Sequence, residues 1–427
     1  MKQLQNLIKY AFFFLLVLPF SLFAQTIQTS GKNASVNEER MAKIDGLVQQ
    51  YIQQHWLNGA VTLVVKDNQV VQYKAYGYAN EATKQLMQRT DLFRIASQTK
   101  AVTAVAIMQL YEAGKLLLDE PVSDFIPAYK SMAVLKSFNE KDTTYTTEPA
   151  KRAITIRDLL THTSGLDYPG IGSASMKAIY AKAGIVPGFG LAKQGETLLS
   201  AMNALAKLPL AHQPGERWTY GLNYDLLGCL VEVISGESLS TYFQKHIFEP
   251  MGMQHTFFNV PANEANQLVV AYTEDSLHHI VPWEKTMMGV NPNYPLEKKT
   301  YFSGGADLTS TAMDYAAFLQ MLLNGGTYNG HTLLSPRSVE MMISNQLNFK
   351  FNGENDFGLG FEIVSEKGAA HGPRNKGSFA WGGFWGTTYW ADPKAHLVGI
   401  IFTQQTPNSH GDIAQKIQDM MYAALKN

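Results

Sequence analysis

The sequence predicts an α+β fold, an α/β sandwich with an antiparallel sheet assembled from both ends of the chain, flanked by helices and joined to a mostly helical lobe. Three observations predict it. A hairpin pattern stands near the N-terminus, with strand-like runs at 59–66 and 70–76. Further runs of strand length and composition, at 357–365, 386–392 and 396–403, stand near the C-terminus. Between them lies a long stretch dominated by helical spacing, without an internal repeat. One sheet built from both termini implies an α/β lobe of 39–115 and 301–427, a helical lobe of about 116–300, and a cleft between them.

The chain has 427 residues, 45% hydrophobic and 17% charged, ample for a large core. A net charge of −1 gives no electrostatic reason to expect nucleic acid as a partner. Residues 1–24 read as a secretory signal: Lys2 and Lys9 make a charged start, 11–18 an apolar centre and 21–24 a cleavage end. Leu22 is larger than the residue preferred there, so an uncleaved anchor is the alternative. Cleavage implies a bacterial periplasmic or secreted protein with no stable membrane insertion. Cys229 is the single cysteine, so no internal disulfide can form, and its apolar neighbours suit a buried small residue.

Residues 25–38 are polar and read as a flexible segment. Met41, Ile44, Leu47, Val48, Tyr51 and Ile52 recur at helical spacing, so 39–56 should be an amphipathic helix. After the hairpin, an Ala-rich apolar run follows Lys100 and stops at Gly114, which suits a helix C-terminus. The segment 131–151 is a polar excursion, and 154–166 a capped helix ending in a glycine turn. Irregular stretches at 170–195 and 263–299 are the candidate cleft-lining loops. A helix over 309–325, capped by Ser310 or Thr311, precedes the C-terminal strands, and 412–425 closes as a helix.

The organising stretch is 93–100. Ser97 falls at the first turn of a helix, where free N–H groups and the helix dipole favour developing negative charge. Lys100 shares its face three residues on. A serine hydroxyl is a poor nucleophile until a base takes its proton, and a buried lysine can take part in that. Taken alone, Ser-x-x-Lys is also the pattern of a helix-capping serine beside a solvated lysine. Three further segments raise the signal: 218–228, with Tyr220 at its head; 302–311, with Gly304 and Gly305; and 379–386, with Trp381, Gly382 and Gly383.

With these motifs in this order, the chain resembles the serine β-lactamase-related superfamily over about 39–425, closest to class C β-lactamase-like hydrolases and family VIII carboxylesterases. The resemblance implies a β-lactamase/transpeptidase-like serine hydrolase domain over 39–427 that works through a covalent acyl-enzyme. Ser97 matches the acylated nucleophile and Lys100 its helix partner. Tyr220 matches the tyrosine that acts as base or shares that role. An unperturbed tyrosine titrates near about 10, so a phenolate at neutral pH needs nearby positive charge, which Lys100 would supply. The Trp381-Gly382-Gly383 strand would edge the cleft, and the N–H groups of Ser97 and Phe384 would form the oxyanion hole. His162 matches a structural turn. No metal is expected at His278 and His279, and no cofactor is implied; the partner is a small-molecule ester or amide.

Two departures bear on substrate. Leu222 stands where β-lactamases carry the asparagine of Tyr-x-Asn, with Asn223 adjacent but out of register. Trp381 stands where they carry a lysine that attracts the drug carboxylate. Losing such a contact costs about 1.5–3 kcal/mol. Both changes resemble the esterase branch, so ester hydrolysis should exceed β-lactam hydrolysis, with Trp381, Gly382, Gly383 and Leu222 contacting substrate. The alternatives are a β-lactamase, a D-amino-acid-specific peptidase, which would use a basic residue such as Arg374 or Lys376, and a silent binding protein of the same fold.

Overall fold

The structure is a computed structural model describing residues 26–29, 33–185, 195–284 and 290–426. The signal segment and parts of both candidate cleft loops lie outside the described residues. Eight strands form one antiparallel sheet: β1 (Gly59–Lys66), β2 (Gln69–Asn80), β3 (Gln85–Leu86), β4 (Asp356–Phe357), β5 (Glu362–Ile363), β6 (Phe379–Gly383), β7 (Thr387–Asp392) and β8 (Leu397–Phe402). Their order is β4-β5-β6-β7-β8-β1-β2-β3. The two ends of the chain meet at β1 and β8, where Val61 pairs with Phe402 and Val65 with Val398.

Five helices frame the sheet and the cleft: α1 (Glu38–Gln53), α2 (Thr99–Glu112), α3 (Asn223–Ser235), α4 (Ala312–Leu323) and α5 (Ile413–Ala423). Every residue of β1 is buried, and alternate side chains serve different cores. Val61, Leu63 and Val65 join the larger core with α2, α3 and α4. Ala60 and Val64 pack beneath α1 and α5, against Ile44, Val48, Ile417 and Met421. The helical spacing in α1 therefore marks the face that covers the sheet; Asn37 caps it by accepting from the Arg40 N–H. Ile44→Ala leaves a cavity under α1 and is expected to cost roughly 2–5 kcal/mol, read by urea unfolding, with the chemistry of the folded fraction unchanged. Among the described residues no helix is long and apolar enough to cross a membrane.

Three regions differ from the sequence expectation. The polar excursion at 131–151 is a hairpin, Ala133–Phe138 with Tyr145–Pro149. Its second strand is exposed throughout, so no apolar alternation announces it. The expected strand at 357–365 is instead the tight pair β4 and β5, because the chain reverses at Gly360, whose φ of +101° suits glycine. The segment 25–38 is tied down where it is described: Gln28 bridges Gln69, Asn33 donates to the Lys66 carbonyl at 3.0 Å and Val36 bridges Leu425. Its backbone finds partners beside β2 and the end of α5 that polarity alone does not reveal. Cys229 is buried on α3, and burial pushes its thiol up to about 12.

Candidate active site

Ser97 sits in a single tight turn, Ala96–Gln98, that leads directly into α2. The preceding Ala96 has φ +43°, in the left-handed region, at a cost of about 1 kcal/mol or more for a residue with a Cβ. Its burial in a small aromatic-lined core holds it there and leaves Ser97 partly exposed at the cleft. α2 is buried almost all round, which explains its unbroken apolar run. Lys100, one turn on, is only 2% exposed, so it is not a solvated surface lysine. Its Nζ lies 3.3 Å from Ser97 Oγ and donates to the Gly305 carbonyl at 2.7 Å.

Tyr220 comes from the segment just before α3, and its hydroxyl donates to Ser97 Oγ at 2.7 Å. Lys100 Nζ stands 4.7 Å from the centre of the Tyr220 ring. Tyr168 and Trp218 stack against that ring with centroids at 5.7 and 5.8 Å, fixing its plane. The Trp381 indole N–H reaches the Tyr220 oxygen at 3.5 Å. His162 lies behind, 4.8 Å from the Tyr220 ring centre. Burial, and then the Lys100 charge, hold its imidazole well below the usual histidine range, so it is neutral. Its Nδ1 accepts from the Asn223 amide at 2.9 Å, while Ser164 donates to the amide oxygen. Asn223 is thus engaged inside the fold and turned away from the cleft.

Strand β6 makes the facing wall. Gly383 is required by close approach, since a Cβ there would stand 2.4 Å from the Ile95 carbonyl oxygen. Through this contact β6 runs against the Ser97 turn, so the two N–H groups expected to hold an oxyanion, on Ser97 and Phe384, come from touching segments. The open cleft, about 570 Å³, is lined by Ser97, Tyr220, Trp381 and Gly382, with Gln415 and Gln418 of α5 opposite. Leu222 corrects the sequence expectation: it is 1% exposed, packed in the main core, and presents no surface to a substrate. It caps α3, and that turn directs its side chain inward. Arg374 lines the cleft, with Nη2 3.7 Å from Glu362, whereas Lys376 pairs with Glu366 in an exposed bridge at 2.7 Å. Among the described residues no group of three or more His, Cys, Asp or Glu side chains could hold a metal ion.

The sequence did not single out the Gly305 carbonyl, Asp225, Tyr168 or Trp218 as parts of this site. Gly305, Asp225 and Trp218 lie within the motif segments, which was the available signal; Tyr168 follows the His162 turn and had none.

The arrangement can support nucleophilic attack by a serine flanked by a tyrosine hydroxyl and a lysine side chain. The family described as Beta-lactamase matches residues 44–420. Protein Rv1367c of Mycobacterium tuberculosis is 36% identical over 84% of this chain and 89% of its own. Esterase EstB of Burkholderia gladioli is 26% identical over 90% of this chain and 95% of its own. Among solved structures, EstCE1, a hydrolase with promiscuous acyltransferase activity, superposes with a TM-score of 0.77 at 27% identity, covering 90% of this chain and 99% of that one.

Proposed function

We propose, from the premise that this chain belongs to the β-lactamase family, that this serine hydrolase acts on carboxylic esters and has weak or no activity on β-lactams. The observation that carries the reading is the contact of Ser97 Oγ with Tyr220 at 2.7 Å and Lys100 at 3.3 Å. Ser97 attacks the ester carbonyl, its proton passes into the Tyr220–Lys100 pair, and the alcohol leaves with that proton. Water then attacks the acyl-enzyme by the same route and releases the acid. Oxyanion donors of the kind expected at Ser97 and Phe384 contribute about 3 kcal/mol each.

The preference for esters rests on Trp381. An indole at the cleft wall offers a neutral acyl or alkoxy group an apolar surface, and offers a drug carboxylate no charge. One observation supports a second reading, a peptidase for substrates ending in a carboxylate: Arg374 lines the same cleft. Glu362 beside it offsets that attraction. The test measures kcat/KM of the mature protein for a short-chain p-nitrophenyl ester, a chromogenic cephalosporin and a D-alanyl-D-alanine peptide. The ester is expected to lead by roughly tenfold or more over the cephalosporin. Faster turnover of the peptide or the cephalosporin overturns the ester reading, and turnover of none moves the weight to a silent binding protein.

A further inference from the structure

A buried carboxyl stands behind Lys100 that the mechanism above leaves without a task. Asp225, on α3, is fully buried. Its Oδ1 accepts from the Tyr301 hydroxyl at 2.8 Å, while Oδ2 has no hydrogen-bond partner among the described residues. Gly305 explains what Oδ2 faces. A Cβ built on Gly305 would stand 2.8 Å from Asp225 Oδ2 and 3.5 Å from Lys100 Nζ. The carboxyl, the lysine and the Ser303 hydroxyl therefore border the same gap beside Gly305, one too small to take a Cβ without a shift. A buried carboxylate is costly unless hydrogen bonds and an opposite charge answer it.

The hydroxyls of Ser303 and Tyr301 answer part of that charge, and Lys100 is the cation that faces it. Tyr301, Ser303 and Asp307 face Asp225 from the 301–307 segment, Tyr168 from the loop after the His162 turn, and Lys100 from α2. Asp307 has its own cation, Lys299, at 3.3 Å. Burial pushes Asp225 up to about 6; Ser303, Tyr301 and Lys100 oppose that rise, and Asp307 adds to it.

We propose that Asp225 is a positioning residue for acylation: its carboxylate, across the gap beside Gly305, holds the Lys100 side chain aimed at Ser97, so that Tyr220 rather than Lys100 takes the Ser97 proton. This rests on the serine hydrolase reading. Before the step the Tyr220 hydroxyl, which donates to Ser97 Oγ in the resting arrangement, gives its proton to solvent; the Ser97 O–H proton then goes to the phenolate oxygen as the Oγ–carbon bond forms. The ester C–O bond then breaks, and the departing alkoxide takes the proton back from Tyr220. Lys100 keeps all its protons and stabilises the phenolate by charge alone.

The test follows the rate at which a fluorophosphonate labels Ser97, by intact mass, between about pH 5 and 9, a range bracketing the ordinary midpoints of carboxyl and histidine groups. The wild-type rate should fall as pH drops through about 6, where Asp225 takes up a proton. Asp225→Asn is uncharged at every pH. It is expected to label roughly tenfold or more slowly at pH 8 and to lose the acid limb near 6. Tyr301→Phe removes a hydrogen bond that favours the carboxylate, so its acid limb should move up by about half a unit or more. An Asp225→Asn rate equal to wild type, or a uniform loss that leaves the limb in place, overturns the proposal. If Asp225→Asn does not fold, Tyr301→Phe decides, and an unmoved limb overturns it. Absence of label on wild-type Ser97 would instead overturn the hydrolase reading itself.

Discussion

Ser97→Ala is expected to lower ester turnover by at least about a thousandfold and to abolish the fluorophosphonate adduct. The hydroxyl oxygen is the atom that forms the bond to the acyl carbon. Cys229 is buried on α3, with its thiol pushed up to about 12. The fold should not register the change. Ser97 Oγ is held by Tyr220 and Lys100, and each of these keeps another contact: Tyr220 its ring stack, Lys100 the Gly305 carbonyl. Thermal unfolding of the variant should therefore stay within about 2 °C of wild type. Turnover that survives in a pure, folded Ser97→Ala protein would sink the covalent mechanism. Lost turnover with label persisting at another serine would relocate it.

What could be read from the sequence was what local spacing encodes. Ser97 and Lys100 share one helix face, and a single turn brings them to 3.3 Å. The sheet built from both termini followed from strand-length runs at each end, and the β1–β8 pairing realises it. What stayed hidden depends on contacts between distant segments or on a shift of one residue. Leu222 belongs to the core because α3 begins at Asn223, and a helix begun one residue earlier would have presented a different side chain. Asp225 and Lys100 face one gap only because Gly305, from a third segment, carries no side chain there. The φ of +43° at Ala96 is invisible in composition, since alanine is an ordinary helix former.

Tyr220→Phe separates the two candidate proton acceptors, and its expected loss in kcat is about a hundredfold to ten-thousandfold. The phenylalanine ring keeps the stack between Tyr168 and Trp218, whose planes lie within 15° and 17° of it. What disappears is one oxygen, the atom 2.7 Å from Ser97 Oγ and 3.5 Å from the Trp381 indole. KM for a neutral short-chain ester should therefore change little while kcat falls, the pattern of an interaction made in the transition state. Lys100 remains in the variant at 3.3 Å from Ser97, so a lysine base would sustain most of the rate. A fall of less than about tenfold in Tyr220→Phe would assign the proton to Lys100 and remove the reason for a carboxylate behind it. A fall of the expected size, together with a displaced acid limb in Tyr301→Phe, would divide the work: the tyrosine carries the proton, and the lysine, held in place by Asp225, supports it.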